Sequence, residues 1–211
     1  MGFSNQTNSR MILASMKTIK EGEQQVPYFI IKDKVNGEWV EKDRFKNFTG
    51  HPYDIELGEY TWKNAPVDTV KMLLMDGQDK VQLEFNLDNG LSRSLLNTLL
   101  GESHIGELSM SLYVNAKGYP AIGIENDGNK TQWKYKFEEF PVVQKNAKGV
   151  VIDNAEYLEF MKKMVADIKL KLNGQPDISQ KITPNPAAGK KEKTSEQAPD
   201  KVYDDHQELP F

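Results

Sequence analysis

Between residues 81 and 100 the hydrophobic period of the chain changes, and that change restricts the folds open to it. Val81, Leu83, Phe85 and Leu87 alternate with Gln82, Glu84 and Asn86, the two-residue period of a strand with one buried face. Leu91, Leu95, Leu96, Leu99 and Leu100 then recur at helical spacing, and Gly101 follows them. A strand giving way so soon to one short helix needs a sheet for that helix to pack on. The chain up to residue 137 supplies it. Strands are predicted at 10–17, 26–31, 38–46, 53–57, 67–75, 80–87, 105–114, 119–125 and 130–137. The joins carry turn chemistry: Asn36-Gly37, Asp76-Gly77, Asn115-Ala116-Lys117-Gly118 and Asn126-Asp127-Gly128-Asn129.

Strand, strand, short helix, strand, strand across 67–125 is the order of an OB-fold, a small barrel with one helix between its third and fourth strands. The expected class is mainly β: an OB-fold-like antiparallel barrel with one short helix between strands. Residues 26–46 enter as an insertion or extra hairpin, and another antiparallel barrel or sandwich fits the same pattern. A second helix is predicted over 154–172, with Asn154 as N-cap. Its stripe of Tyr157, Leu158, Met161, Met164, Val165, Ile168 and Leu172 faces a core, and Lys169 and Lys171 suit its last turn. Gly174 ends it. From there periodicity is lost and Pro, Lys, Glu, Asp, Gln and Ala dominate. The expected organisation is a folded domain over 1–173, a disordered linker over 174–199 and an acidic tail over 200–211. Such a linker spans roughly 28 Å.

The chain has 211 residues and no cysteine, which excludes disulfides, thiolate catalysis and thiolate zinc sites. No apolar run is long enough for a membrane span, and the N-terminus lacks the basic and apolar regions of a secretory signal. A cytoplasm is the expected compartment. The formal charge is −4. Asp200, Asp204, Asp205 and Glu208 against Lys201 give the tail −3, which leaves −1 for residues 1–199. A cationic face on that body has to be local. Three histidines and the absence of HExxH, GxSxG, GxGxxG and GxxxxGK[ST] motifs argue for a binding protein over an enzyme, with no cofactor or metal expected. Two alternatives stand beside it: a sugar-binding or phage structural barrel, and a two-metal nuclease built from Asp54, Glu56 and Glu84.

Single-stranded nucleic acid is bound without sequence preference by aromatic faces that stack bases and cations that follow the phosphates. The chain interleaves both types. Residues 130–137, read as a strand, put Trp133, Tyr135 and Phe137 on one face with Lys134 and Lys136 on the other. Trp39, Arg44, Phe45 and Lys46 cluster around the end of the 26–46 hairpin, with Trp39 beside its turn. Tyr60 and Trp62 share a face, next to Lys63, before a break at Pro66. In 105–114, Leu108, Met110, Leu112 and Val114 point inward, leaving Ser109, Ser111 and Tyr113 as an outward floor. An aromatic row also suits a core, most of all at Phe137.

The chain ends Asp204-Asp205-His206-Gln207-Glu208-Leu209-Pro210-Phe211, an acidic run closed by an apolar hook at the free carboxylate. This segment resembles the C-terminal tail of the single-stranded DNA-binding proteins of bacteria and phages. The resemblance implies a partner-binding role for Asp204, Asp205, Glu208, Leu209, Pro210 and Phe211, which in that family recruit replication and repair proteins. It covers about the last ten residues. The body lacks the Gly/Gln-rich linker of the bacterial members, so a phage-encoded protein working in its host's cytoplasm is the closer expectation. Homo-oligomerisation stays open, because the tetramer of the bacterial proteins does not carry over.

Overall fold

The computed structural model describes residues 11–145, 147 and 151–174, and within them the chain is mainly β. Nine strands make one sheet: β1 (Met11–Glu21), β2 (Gln24–Val35), β3 (Glu38–Phe45), β4 (Asn47–Trp62), β5 (Ala65–Asp76), β6 (Asp79–Asn86), β7 (Leu108–Val114), β8 (Pro120–Asn126) and β9 (Asn129–Lys130). Their order across the sheet is β3-β2-β1-β6-β5-β4-β7-β8-β9. Helix α1 (Gly90–Gly101) stands between β6 and β7, and α2 (Ala155–Asn173) follows a short pair of strands, β10 (Gln144–Lys145) and β11 (Val151–Asp153).

Two-residue turns set the hairpins. Asn36 and Gly37 both take positive φ, 52° and 90°, the twist a tight hairpin favours. Lys63 and Asn64 do the same at 49° and 65° without a glycine. The strand predicted at 53–57 therefore runs on to Trp62, and Pro66 does not break it. Pro66 sits inside β5 opposite Thr61, beyond the last β5–β6 pair of Thr69 with Asn86, where its missing N–H leaves no β6 partner unbonded.

β4, β5 and β6 form a meander, α1 follows, β7 returns antiparallel to the start of β4, and β8 pairs with β7. This is the predicted strand–helix order. The free edge of β6, however, is taken by β1, and in parallel: Met11–Ser15 runs alongside Lys80–Glu84. The sheet is thus barrel-like but not closed, with β3 and β9 as its edges. Residues 26–46 are integral strands of it, not an insertion. Chain continuity brings the two wings together, because β3 passes through Lys46 into β4, and the Leu112 N–H donates to the Lys46 carbonyl at 2.7 Å.

One face of the sheet carries Ala14, Met16, Phe29, Ile55, Val70, Met72, Leu83 and Phe85 into the core. Leu95, Leu96 and Leu99 of α1 and Met161, Met164 and Ile168 of α2 pack there too. Each of these side chains larger than alanine contributes about 1.5–3 kcal/mol on burial. The Asn89 carboxamide caps α1, accepting from the Ser92 N–H at 2.8 Å. At α2 the capping side chain is Asp153, which accepts from Ala155 N–H at 3.0 Å, while the predicted Asn154 makes no side-chain cap. No helix among the described residues is long and apolar enough to cross a membrane. The predicted tail, and the linker from 175, lie outside the described residues.

Candidate nucleic-acid interface

Directly opposed residues of neighbouring strands share a face, so the ladders can be followed across the sheet. Trp39 opposes Lys34, Glu41 opposes Lys32, and Arg44 opposes Ile30. Lys32 then opposes Leu13, Ile30 opposes Ser15, and Tyr28 opposes Lys17. Ser15 lies beside Glu84, which opposes Lys71, while Asn86 opposes Thr69. Thr69 opposes Gly58, and Tyr60 and Trp62 follow Gly58 at two-residue steps. Trp39, Arg44, Tyr60 and Trp62 therefore belong to one face, the one turned away from the core. Trp39 is 52% exposed and Trp62 61%. The Tyr60 hydroxyl reaches over β5 to Asn86 Oδ1 at 3.4 Å.

Cations accompany these rings. Lys34 Nζ is 5.8 Å from the Trp39 ring centre and Lys63 Nζ 5.8 Å from that of Trp62. Tyr28, which the sequence did not single out, has Lys46 at 3.8 Å and the Arg44 guanidinium at 5.5 Å. Arg44 is already paired, at 2.7 Å to Glu41. Lys46 donates to the Pro27 carbonyl at 3.1 Å, and burial holds its ammonium below the ordinary lysine range. Lys32 is lowered as well, by burial first and then by Lys17.

The β1–β6 ladder ends at Ser15 and Glu84. Beyond it β1 continues with β2 while β6 continues with β5, and a cleft of about 1340 Å³ opens in the fork. Tyr60 and Trp62 line it from the β4–β5 hairpin, and Lys17 and Lys32 from β1 and β2. Where it meets the core, the Arg93 guanidinium lies 4.7 Å from the ring centre of Phe137 and 5.6 Å from that of Phe140. Among the described residues Lys17, Lys32 and Arg93 are matched there by Glu84, Asp88 and Glu138, so these lining residues carry no net charge together. Three polar atoms of the lining residues are buried without a hydrogen-bond partner: Ser15 Oγ, Thr69 Oγ1 and Arg93 Nε.

Several predicted residues stand elsewhere. Strand β9 stops at Lys130, and 131–136 is not a strand. The reason is Asn97 of α1, whose carboxamide takes both the N–H and the C=O of Tyr135 at 2.8 Å, after which Phe137–Glu139 forms a 3₁₀ turn. Tyr135 is not an open platform: its ring packs edge-on against Phe160 at 5.2 Å and Phe140 at 6.2 Å. Trp133 is half-buried, and Lys134 and Lys136 are exposed, none of them lining the cleft. Phe45 is exposed but opposes Phe29, a core residue, so it lies on the opposite face from Arg44. Tyr113 is outward as predicted, over Gly123 of β8 and outside the cleft.

Lys17, Lys32, Asn86 and Arg93 join the site although the sequence did not place them there, and Phe137, read as the member of its aromatic row best suited to a core, lines the cleft too. Outward alternation marks Lys17 and Asn86 as surface positions, but nothing local marks the fork that gathers them. Glu56 and Glu84 have Lys71 between them in the register, and among the described residues no cluster of three or more His, Asp or Glu is placed to hold a metal ion. The six tail residues Asp204, Asp205, Glu208, Leu209, Pro210 and Phe211 lie outside the described residues. No protein-family model, curated protein or solved structure matches the chain.

Proposed function

We propose that this is a single-stranded DNA-binding protein, tolerant of sequence and acting in replication, recombination or repair. Its terminal acidic segment would recruit partner proteins, as the resemblance of that segment implies. The observation that supports the binding role is the shared sheet face of Trp39, Tyr60 and Trp62, interleaved with Lys17, Lys32 and Lys34. Along the registers Trp39 is level with His51, so Trp62 stands eleven residues further along β4, and the two indoles mark opposite ends of the face, about 24 Å apart across the strands and about 36 Å along them. Stacking contributes about 1–3 kcal/mol per base, so three rings bring the affinity toward the micromolar range before any phosphate contact.

Titration with a dT oligomer, followed by tryptophan emission, tests this reading. Quenching is expected with dT and not with a matched duplex. Replacing Trp39 and Trp62 together by Ala should weaken dT binding by about 2–6 kcal/mol. Equal affinity of that double variant and the parent would show that the rings serve another purpose. Removing 204–211 should leave dT binding intact at physiological salt and abolish capture of replication or repair proteins.

A further inference from the structure

We propose that the fork between β1 and β6 is a base pocket: it takes an unstacked nucleobase of the bound strand edge-first and leaves the phosphates at its rim. The inference rests on the single-stranded DNA reading and names what the deepest part of that site holds.

Charge is the first ground. Among the described residues the lining's three cations are balanced by three carboxylates, so these residues set up no net field to draw a phosphate inward. Lys34 and Lys63, which are not among the lining residues, stand beside the indoles of Trp39 and Trp62.

Hydrogen bonding is the second. Ser15 is 3% exposed and Thr69 1%, and among the described residues neither hydroxyl has a partner, nor does Arg93 Nε. An unpaired buried polar atom lowers stability, and proteins keep one chiefly where a water, ion or ligand completes it. A base edge offers carbonyl and ring-nitrogen acceptors next to amino donors, and a hydroxyl both donates and accepts. A phosphate offers acceptors alone. The mixed set of two hydroxyls, one guanidinium N–H and the Asn86 carboxamide therefore fits a base edge better than a phosphate.

Shape is the third. The ladder that would have filled this space stops at Ser15 and Glu84. The walls that remain include flat surfaces, Tyr60 and Trp62 on the hairpin and Phe137 under Arg93. Thr69 stands in this position because its neighbour is glycine: a Cβ at Gly58 would come within 2.8 Å of Thr69 Oγ1.

The test compares a dT oligomer with an abasic phosphodiester of equal length at one salt concentration. The parent protein should bind dT at least 30-fold more tightly. The double variant Ser15→Ala, Thr69→Val should lose about tenfold on dT and nothing on the abasic strand. Its salt slope should be unchanged and its Tm equal or higher, because an unpaired hydroxyl has been replaced by an apolar group. A loss of Tm with unchanged dT binding would show a structural role for the hydroxyls and overturn the pocket. Equal affinity of the parent for dT and abasic strands would overturn the pocket and the stacking role of the rings together, whereas an unchanged dT affinity of the double variant overturns the pocket alone. If the parent binds neither strand, the single-stranded DNA reading fails and the pocket with it.

Discussion

Asn97 is wholly buried, and its carboxamide holds the backbone of Tyr135 by two hydrogen bonds of 2.8 Å, one given and one received. Replacing it by Ala leaves the part-buried N–H and C=O of Tyr135 without these partners, at about 1–2 kcal/mol each. Asn97→Ala should therefore destabilise the protein by about 2–4 kcal/mol in a urea titration. It should also weaken dT binding, because Phe137 and the guanidinium on it follow two residues later. A stability change below about 0.5 kcal/mol would mean that the 131–136 segment is held by its ring contacts alone. Lys32 gives a second residue-scale expectation. Burial and Lys17 hold its ammonium below the usual lysine range, and only the protonated form attracts a phosphate. DNA affinity should then start to fall at a lower pH than an ordinary lysine would allow, as pH rises through the lowered value. Lys32→Arg, whose guanidinium keeps its proton, should flatten that alkaline limb; an unchanged limb would exclude Lys32 from phosphate contact.

The two helices are tied through one side chain. Lys171, in the last turn of α2, donates to the carbonyls of Leu99 and Leu100, C-terminal carbonyls of α1 that no helical N–H can reach, and to that of Glu102, which follows the helix as its C-cap. Burial lowers its pKa, the mark of the desolvation cost of holding an ammonium there. Lys171→Met keeps the aliphatic length and removes the donor, and should cost about 1–3 kcal/mol in thermal or chemical unfolding. Elements of this kind show which parts of the fold are visible in a sequence. The hairpins were visible because Asn36-Gly37 and Asp127-Gly128 write the turn locally, and β6 and α1 because each has one clean period. The β4–β5 turn was hidden, since Lys63 and Asn64 take positive φ without glycine. The parallel pairing of β1 with β6 was hidden too, since it joins segments about seventy residues apart and leaves alternation unchanged. The aromatic alternation at 130–137 misled for a different reason: a side chain of α1 captures the backbone that a ladder would need. The outward indoles were therefore legible as single residues, and the cleft beside them was not.

At the scale of the whole molecule, charge and stacking predict opposite responses to salt. The chain carries −4 in total and is nearly neutral outside its tail, and the cleft is balanced. On the outward face Arg44 is committed to Glu41, which leaves Lys17, Lys32, Lys34 and Lys63 as the cations beside its rings and cleft. Four neutralised phosphates on a single strand give a slope of log affinity against log salt near −3. Between 50 and 200 mM salt the protein should then lose only about 50-fold in affinity, against roughly 10³–10⁵ for a protein making 6–10 phosphate contacts. Changing Lys17, Lys32, Lys34 and Lys63 together to Met should bring the slope close to zero while keeping the quenching of the indoles. A parent slope steeper than about −5 would mean that polyelectrolyte attraction, not ring stacking, holds the strand. In that case the outward face described here is not where most of its phosphates lie.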